Sequence, residues 1–157
     1  MHDALKQIAK DILEDEVIKS LPGITCLAED RGDVVFEATR ALGRAGVVVL
    51  VSIRSFQRRQ NSGQLLTGTL ALDVTCAETV PVNRRGTDYV TAQHVAETIA
   101  QRFHWRTLGG RFASPLRFMN LTKEYPDPKV VSWSLAFEAE YGMGVEELRE
   151  SVGLFDC

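Results

Sequence analysis

Several signatures of catalysis and metal binding are missing from this sequence, and each absence removes a class of function. It holds three cysteines, Cys26, Cys76 and Cys157, with no CxxC pair and no Cys/His cluster. Such a set excludes a disulfide scaffold and a structural zinc site, and it points to a reducing compartment. The three histidines, His2, His94 and His104, make no HExxH or i,i+4 pair, so surface or satisfied roles are expected for them. There is no GxSxG elbow for a serine nucleophile, no Walker loop and no strand–GxGxxG–helix segment for a dinucleotide. No apolar run approaches the ~18 residues of a membrane span. The opening segment, MHDALKQIAKDILEDE, is acidic and amphipathic, without the basic start and unbroken apolar stretch of a secretory signal. Neither an enzyme, a cofactor nor a metal is expected from these residues.

What is there is globular composition. Of 157 residues, 45% are apolar and 25% charged, enough for one domain with a real core. The net charge of −3 conceals strong segregation. Residues 1–39 carry four basic and nine acidic side chains. Residues 40–117 carry eleven arginines, no lysine and four acids, and residues 118–157 carry three basic and eight acidic side chains. This acid–base–acid order bears on partners rather than on fold.

Periodicity then assigns the elements. Leu5, Ile8, Ile12, Leu13 and Val17 recur at helical spacing, predicting a helix over 3–20 capped by Asp3 and stopped by Pro22-Gly23. Ile24–Ala28 reads as a short strand and residues 29–33 as a turn. Residues 34–45 read as a short strand or irregular segment passing into a helical turn. Val47–Phe56 is the densest β-branched run, and Leu65–Glu78 alternates cleanly, with Leu70, Leu72, Val74 and Cys76 on one face. With the Asn-Ser-Gly turn between them they form a long hairpin with a basic tip. Cys76, on the apolar face, is a buried structural thiol in this reading rather than a nucleophile.

Val80–Gly86 reads as a loop, and Thr87 or Asp88 as the cap of a second helix over Tyr89–Arg102. Strands are predicted at Leu116–Thr122 and Val130–Tyr141 around a Pro126-Asp127-Pro128 turn, and a short helix at Val145–Val152. The economical fold is α+β (α/β): one mixed, mostly antiparallel sheet with two amphipathic helices packed on one face. Residues 1–143 make the single domain and 144–157 a C-terminal extension.

The candidate functional residues are loop arginines and strand carboxylates. Arg54, Arg58 and Arg59 fall at the first hairpin's tip, and Arg84 and Arg85 before the second helix. Arginine forks onto carboxylates and phosphates, so this concentration implies an anionic partner. Glu138 and Glu140 share one face of the last strand; a solvated or subunit-facing surface explains them more simply than an acid–base pair. Phe56, Phe103, Trp105 and Phe112 lie near the arginines in sequence, which keeps a second reading open: a nucleic-acid-binding module using the 54–117 block.

The opening DALKQIAKDIL helix, the polar-tipped hairpin Val47–Glu78, the capped helix Asp88–Phe103 and the alternating strand Trp133-Ser-Leu-Ala-Phe-Glu-Ala-Glu-Tyr141-Gly-Met143 occur in a telling order. That order, over residues 3–143, resembles the tail-terminator (tail-completion, minor tail) proteins of long-tailed bacteriophages and prophages. The resemblance implies helices stacked on one sheet face and assembly into a homo-oligomeric, hexameric ring. Such a ring caps the head-proximal end of the tail tube, ends tube polymerisation and offers a surface to a head-completion (neck) protein. It implies a virion component assembled in the bacterial cytoplasm, with no cofactor, no membrane and no specific nucleic acid. The extended Arg106–Leu121 region and the residues after Met143 depart from the smaller members of the family. A head-to-tail ring needs two complementary surfaces on each subunit. Arg54, Arg58, Arg59, Arg84 and Arg85, with Glu138 and Glu140, are therefore expected to face the neighbouring subunit or the tube protein.

Overall fold

The first helix follows from the spacing of its apolar residues. Over α1, His2–Glu14, the side chains of Ala4, Leu5, Ile8, Ala9 and Ile12 recur every three or four residues, and all are buried. This computed structural model describes residues 2–29, 34–44, 46–59, 66–85 and 88–143. The predicted Val145–Val152 helix, the 144–157 extension, the Asn-Ser-Gly turn and residues 30–33 lie outside the described residues.

The helix expected over 3–20 is two helices. Asp15 takes an extended backbone (φ −61°, ψ 131°), and its carboxylate accepts the N–H groups of Val17 and Ile18. It thereby ends α1 and caps α2, Glu16–Lys19. Strand β1, Ile24–Ala28, follows as expected. Residues 34–42, expected to begin as a strand or irregular segment, are wholly helical as α3, Val34–Leu42. Its packing against the neighbouring strands outweighs the weak β preference of the Val34-Val35 pair.

Strands β2, Val47–Arg58, and β3, Leu66–Thr79, form the long hairpin. The expected loop after it contains a helical turn, α4, Val80–Asn83, with proline in its first turn. Helix α5, Ala92–Phe103, starts later than predicted and is capped by Thr91, whose hydroxyl accepts the His94 N–H. The Asn83 amide holds the Val90 carbonyl, keeping the preceding residues out of the helix. Strands β4, Arg117–Asp127, and β5, Val130–Met143, complete the chain, with β4 longer than its sequence pattern suggested.

One mixed five-stranded sheet results, in the order β1-β2-β3-β5-β4, with β1 parallel to β2 and the other pairs antiparallel. This is the expected α+β class. The two longest strands, β3 and β5, pair along their whole length at the centre. Their register aligns Val49 with Cys76 and Trp133, and Val51 with Val74 and Leu135. These apolar side chains join the buried residues of α1 and α5 in one core. Ile12, Ile99 and Leu135 have no exposed surface, each contributing about 1.5–3 kcal/mol through burial.

The alternate residues line the second face. There α3 flanks β1 and β2 around a groove lined by Thr25, Leu27, Glu37, Arg40, Ala41 and Arg44. At one end of the sheet, Gly46 has φ +130°, and a Cβ there would stand 2.2 Å from the Gly23 carbonyl oxygen. Only glycine fits that approach, across which the Val47 N–H reaches the same carbonyl at 2.9 Å.

Candidate interaction surface

The alternation that sends Leu70, Leu72 and Val74 into the core sends Thr69, Ala71, Asp73 and Thr75 to the second face. β5 contributes Ser134, Ala136, Glu138 and Glu140 beside them. The centre of this face is small: Ala71 and Ala136 are buried by their neighbours, and the Thr75 and Ser134 hydroxyls share a hydrogen bond at 3.0 Å.

Charges surround that centre in matched pairs. Arg54 Nη2 lies 3.2 Å from Asp73 Oδ1, and Arg59 Nη2 lies 2.9 Å from Glu140 Oε2. Arg117 Nη2 stands 3.8 Å from Glu138 and 3.7 Å from Glu140, while the Thr69 hydroxyl donates to Glu140. The structure thus brings four of the sequence candidates, Arg54, Arg59, Glu138 and Glu140, onto one face, and adds Arg117 and Asp73. All these groups stay partly exposed, so water screens each pair.

The other candidates lie elsewhere. Arg58 is paired with Gly68, one step from Arg59, and strand alternation turns it to the helix side. Arg85 is exposed in the turn after α4. Arg84 has an internal partner: its Nη2 donates to Glu78 Oε1 at 2.8 Å, and its guanidinium lies over the Tyr89 ring.

Glu78 is one of two buried carboxylate nodes with no counterpart in the sequence reading. It is 1% exposed and accepts from the Asn83 amide, Arg84 and the Ala92 N–H at the start of α5. Burial pushes its pKa up, but the hydrogen bonds from Arg84, Asn83 and Ala92 outweigh that and hold it below the usual carboxylate value. Asn83 also accepts the Gly46 N–H at 2.8 Å, tying this node to the β2 entry.

Asp15 is the second node. Besides capping α2 it accepts from Arg102 and Arg106, joining α2 to the end of α5. Burial again pushes upward, and the bonds from Arg106, Ile18, Arg102 and Val17 win, so its pKa is lowered. A sequence signal existed for both nodes. Glu78 falls on the apolar side of an alternating strand, and Asp15 interrupts a helical apolar stripe.

The two described cysteines are structural thiols. Cys76 is fully buried, and burial pushes the Cys26 thiol up to about 12. His104 Nδ1 accepts the Phe118 N–H, as a satisfied histidine should. Among the described residues no group of three or more His, Cys, Asp or Glu side chains is arranged to hold a metal ion. No described helix is long and apolar enough to cross a membrane. No protein-family model matches the chain, and no curated protein matches it in sequence.

Proposed function

We propose that the protein is a structural, non-catalytic subunit of a phage or prophage tail. In this reading it caps the head-proximal end of the tail tube as a homo-oligomeric ring, ends tube growth and presents a joining surface to the head side. The observation that carries the reading is the open, charge-patterned sheet face. Arg54, Arg59 and Arg117 alternate there with Asp73, Glu138 and Glu140 around a flat, small-residue centre. Partly exposed, solvent-screened ion pairs contribute little to fold stability, about 0–1 kcal/mol each, so they exchange partners cheaply with a neighbouring subunit.

The nucleic-acid reading loses ground on the other arginines. Arg84, Arg102 and Arg106 are each held by a buried carboxylate of their own chain, Glu78 or Asp15, which a phosphate would have to displace.

Native mass spectrometry of the purified chain tests the assignment. The expected result is a closed hexameric ring, and tube assemblies stop growing when it is added. Reversal of Arg58 and Arg59 to Glu is expected to weaken ring formation and capping together. Capping that persists unchanged at physiological salt would sink the role of the hairpin tip. Tight, salt-dependent DNA binding without any oligomer would sink the assembly reading in favour of the nucleic-acid one.

A further inference from the structure

The sheet has two outer strands, and several large exposed apolar side chains lie beside them. Along β4, Met119 is 50% exposed and Tyr125 63% exposed. At the other edge, Leu13, 44% exposed, lines a groove with Ile18, Lys19, Leu21, Gly23 and Ile24 at the start of β1. The groove is open and has a volume of about 250 Å³.

Neither edge is fully used. The beginning of β4 is covered by the 104–106 turn, since Trp105 and Arg106 bond to Leu116 and the His104 ring accepts the Phe118 N–H. From Asn120 to Tyr125 the described backbone pairs only with β5. β1 likewise pairs only with β2 among the described residues, and its five residues fit within the open Asn120–Tyr125 stretch of β4. Unpaired edges with apolar flanks are templates for a further strand.

We propose that the occupant of the β4 edge is β1 of a second copy of this chain, with Tyr125 seated in that copy's Leu13–Ile24 groove. This rests on the ring reading above and names the surface that closes it. Strand direction supports the choice. β5 runs parallel in sense to β2 and β1, and β4 runs opposite to them, so continuing the sheet into the next copy makes an antiparallel β4–β1 junction. Facing also agrees: Phe118 and Leu121 on β4, and Ile24 and Cys26 on β1, pack against the core from the helix side. A continued sheet therefore continues one apolar layer. It also sets the end of β4 beside the start of β1. There Lys123, whose ammonium lies over the Tyr125 and Trp133 rings, meets the exposed Glu14 next to Leu13. The two edges differ, so the junction is heterologous, as a ring requires.

The test uses two variants of the full chain, Leu13→Arg and Tyr125→Arg, each at an exposed position, with unfolding midpoints confirming that both fold. Each variant keeps one intact edge. Native mass spectrometry is expected to show self-association weakened about 30-fold or more in each alone. An equimolar mixture is expected to form a one-to-one dimer that grows no further, because only one complementary junction remains. Wild-type oligomers that both variants reproduce overturn the edge pairing and leave the ring reading standing. A mixture without the dimer, from variants that each stay monomeric, also overturns the edge pairing. A wild-type chain that remains monomeric at every concentration and at tube ends overturns both.

Discussion

Arginine meets carboxylate in two regions of this molecule, with opposite physical meaning. At Glu78 and Asp15 the acid side chain is 1% exposed, and its partners include backbone N–H groups of the helix it anchors. On the open sheet face, Asp73, Glu138 and Glu140 keep a quarter to a third of their side-chain surface, and Arg59 keeps 62%. The chemistry of the pairs is the same; burial makes the difference. A buried carboxylate cannot trade its partners for water, whereas an exposed one can. The inner pairs are therefore committed to the fold, and the outer pairs remain available to a neighbour.

The sharpest way to break this contrast is to delete an inner acid. Glu78→Ala leaves Asn83, Arg84 and the Ala92 N–H without their shared acceptor, and Asp15→Ala removes the α2 cap and the anchor of two arginines. Each is expected to cost about 3 kcal/mol in urea unfolding. A loss under about 1 kcal/mol would place these nodes with the surface pairs.

Acidity sharpens the same point. Both carboxyls have lowered pKa values in the folded chain, so below neutrality the unfolded chain binds more protons. The stability they provide is complete above the ordinary carboxylate range near ~4 and is lost as pH falls through their lowered values. The gap between wild type and Glu78→Gln is accordingly expected to be widest near neutral pH and to narrow below about pH 4. Unfolding curves over that range check it, and a gap independent of pH would contradict it.

Asn83→Ala comes next, at about 2 kcal/mol. It strands the Gly46 N–H and takes one donor from Glu78, while Arg84 and Ala92 still hold that carboxylate.

How much of this contrast was legible beforehand depended on the range of the signal. The strands and their faces were readable because alternation is local: Leu70 to Cys76 and Trp133 to Tyr141 announce a buried side residue by residue. The helix at 34–42 was not, because its conformation depends on packing against the flanking strands β1 and β2, which the residues' own pattern does not display. The β3–β5 pairing, which creates the open face, joins residues more than fifty apart in sequence, from Thr79–Val130 to Leu66–Met143. Glu140 thus meets Arg59 and Thr69 only once the sheet exists. The arginines were visible as a block, but their division into buried anchors and surface pairs depends on which carboxylate folding brings to each. Arg84 and Arg85 are adjacent in sequence, yet Arg84 is held by Glu78 and Arg85 projects from a turn.

The smallest expected effect on stability is on the open face, and it bears most directly on function. Arg59→Gln removes a pair whose arginine is largely hydrated, and Glu140 retains the Thr69 hydroxyl and the approach of Arg117. The unfolding free energy is expected to move by no more than about 0.5 kcal/mol. If the outer pairs are exchangeable, assembly responds where stability does not. Arg59→Gln should shift the concentration at which oligomers form and flatten its salt dependence, since one charge is removed from the contact. Equal stability with altered assembly separates the two regions as argued. If Arg59→Gln instead destabilises the monomer like Glu78→Ala, the open face is part of the fold's own framework. The ring's second surface would then have to be sought at the sheet edges alone.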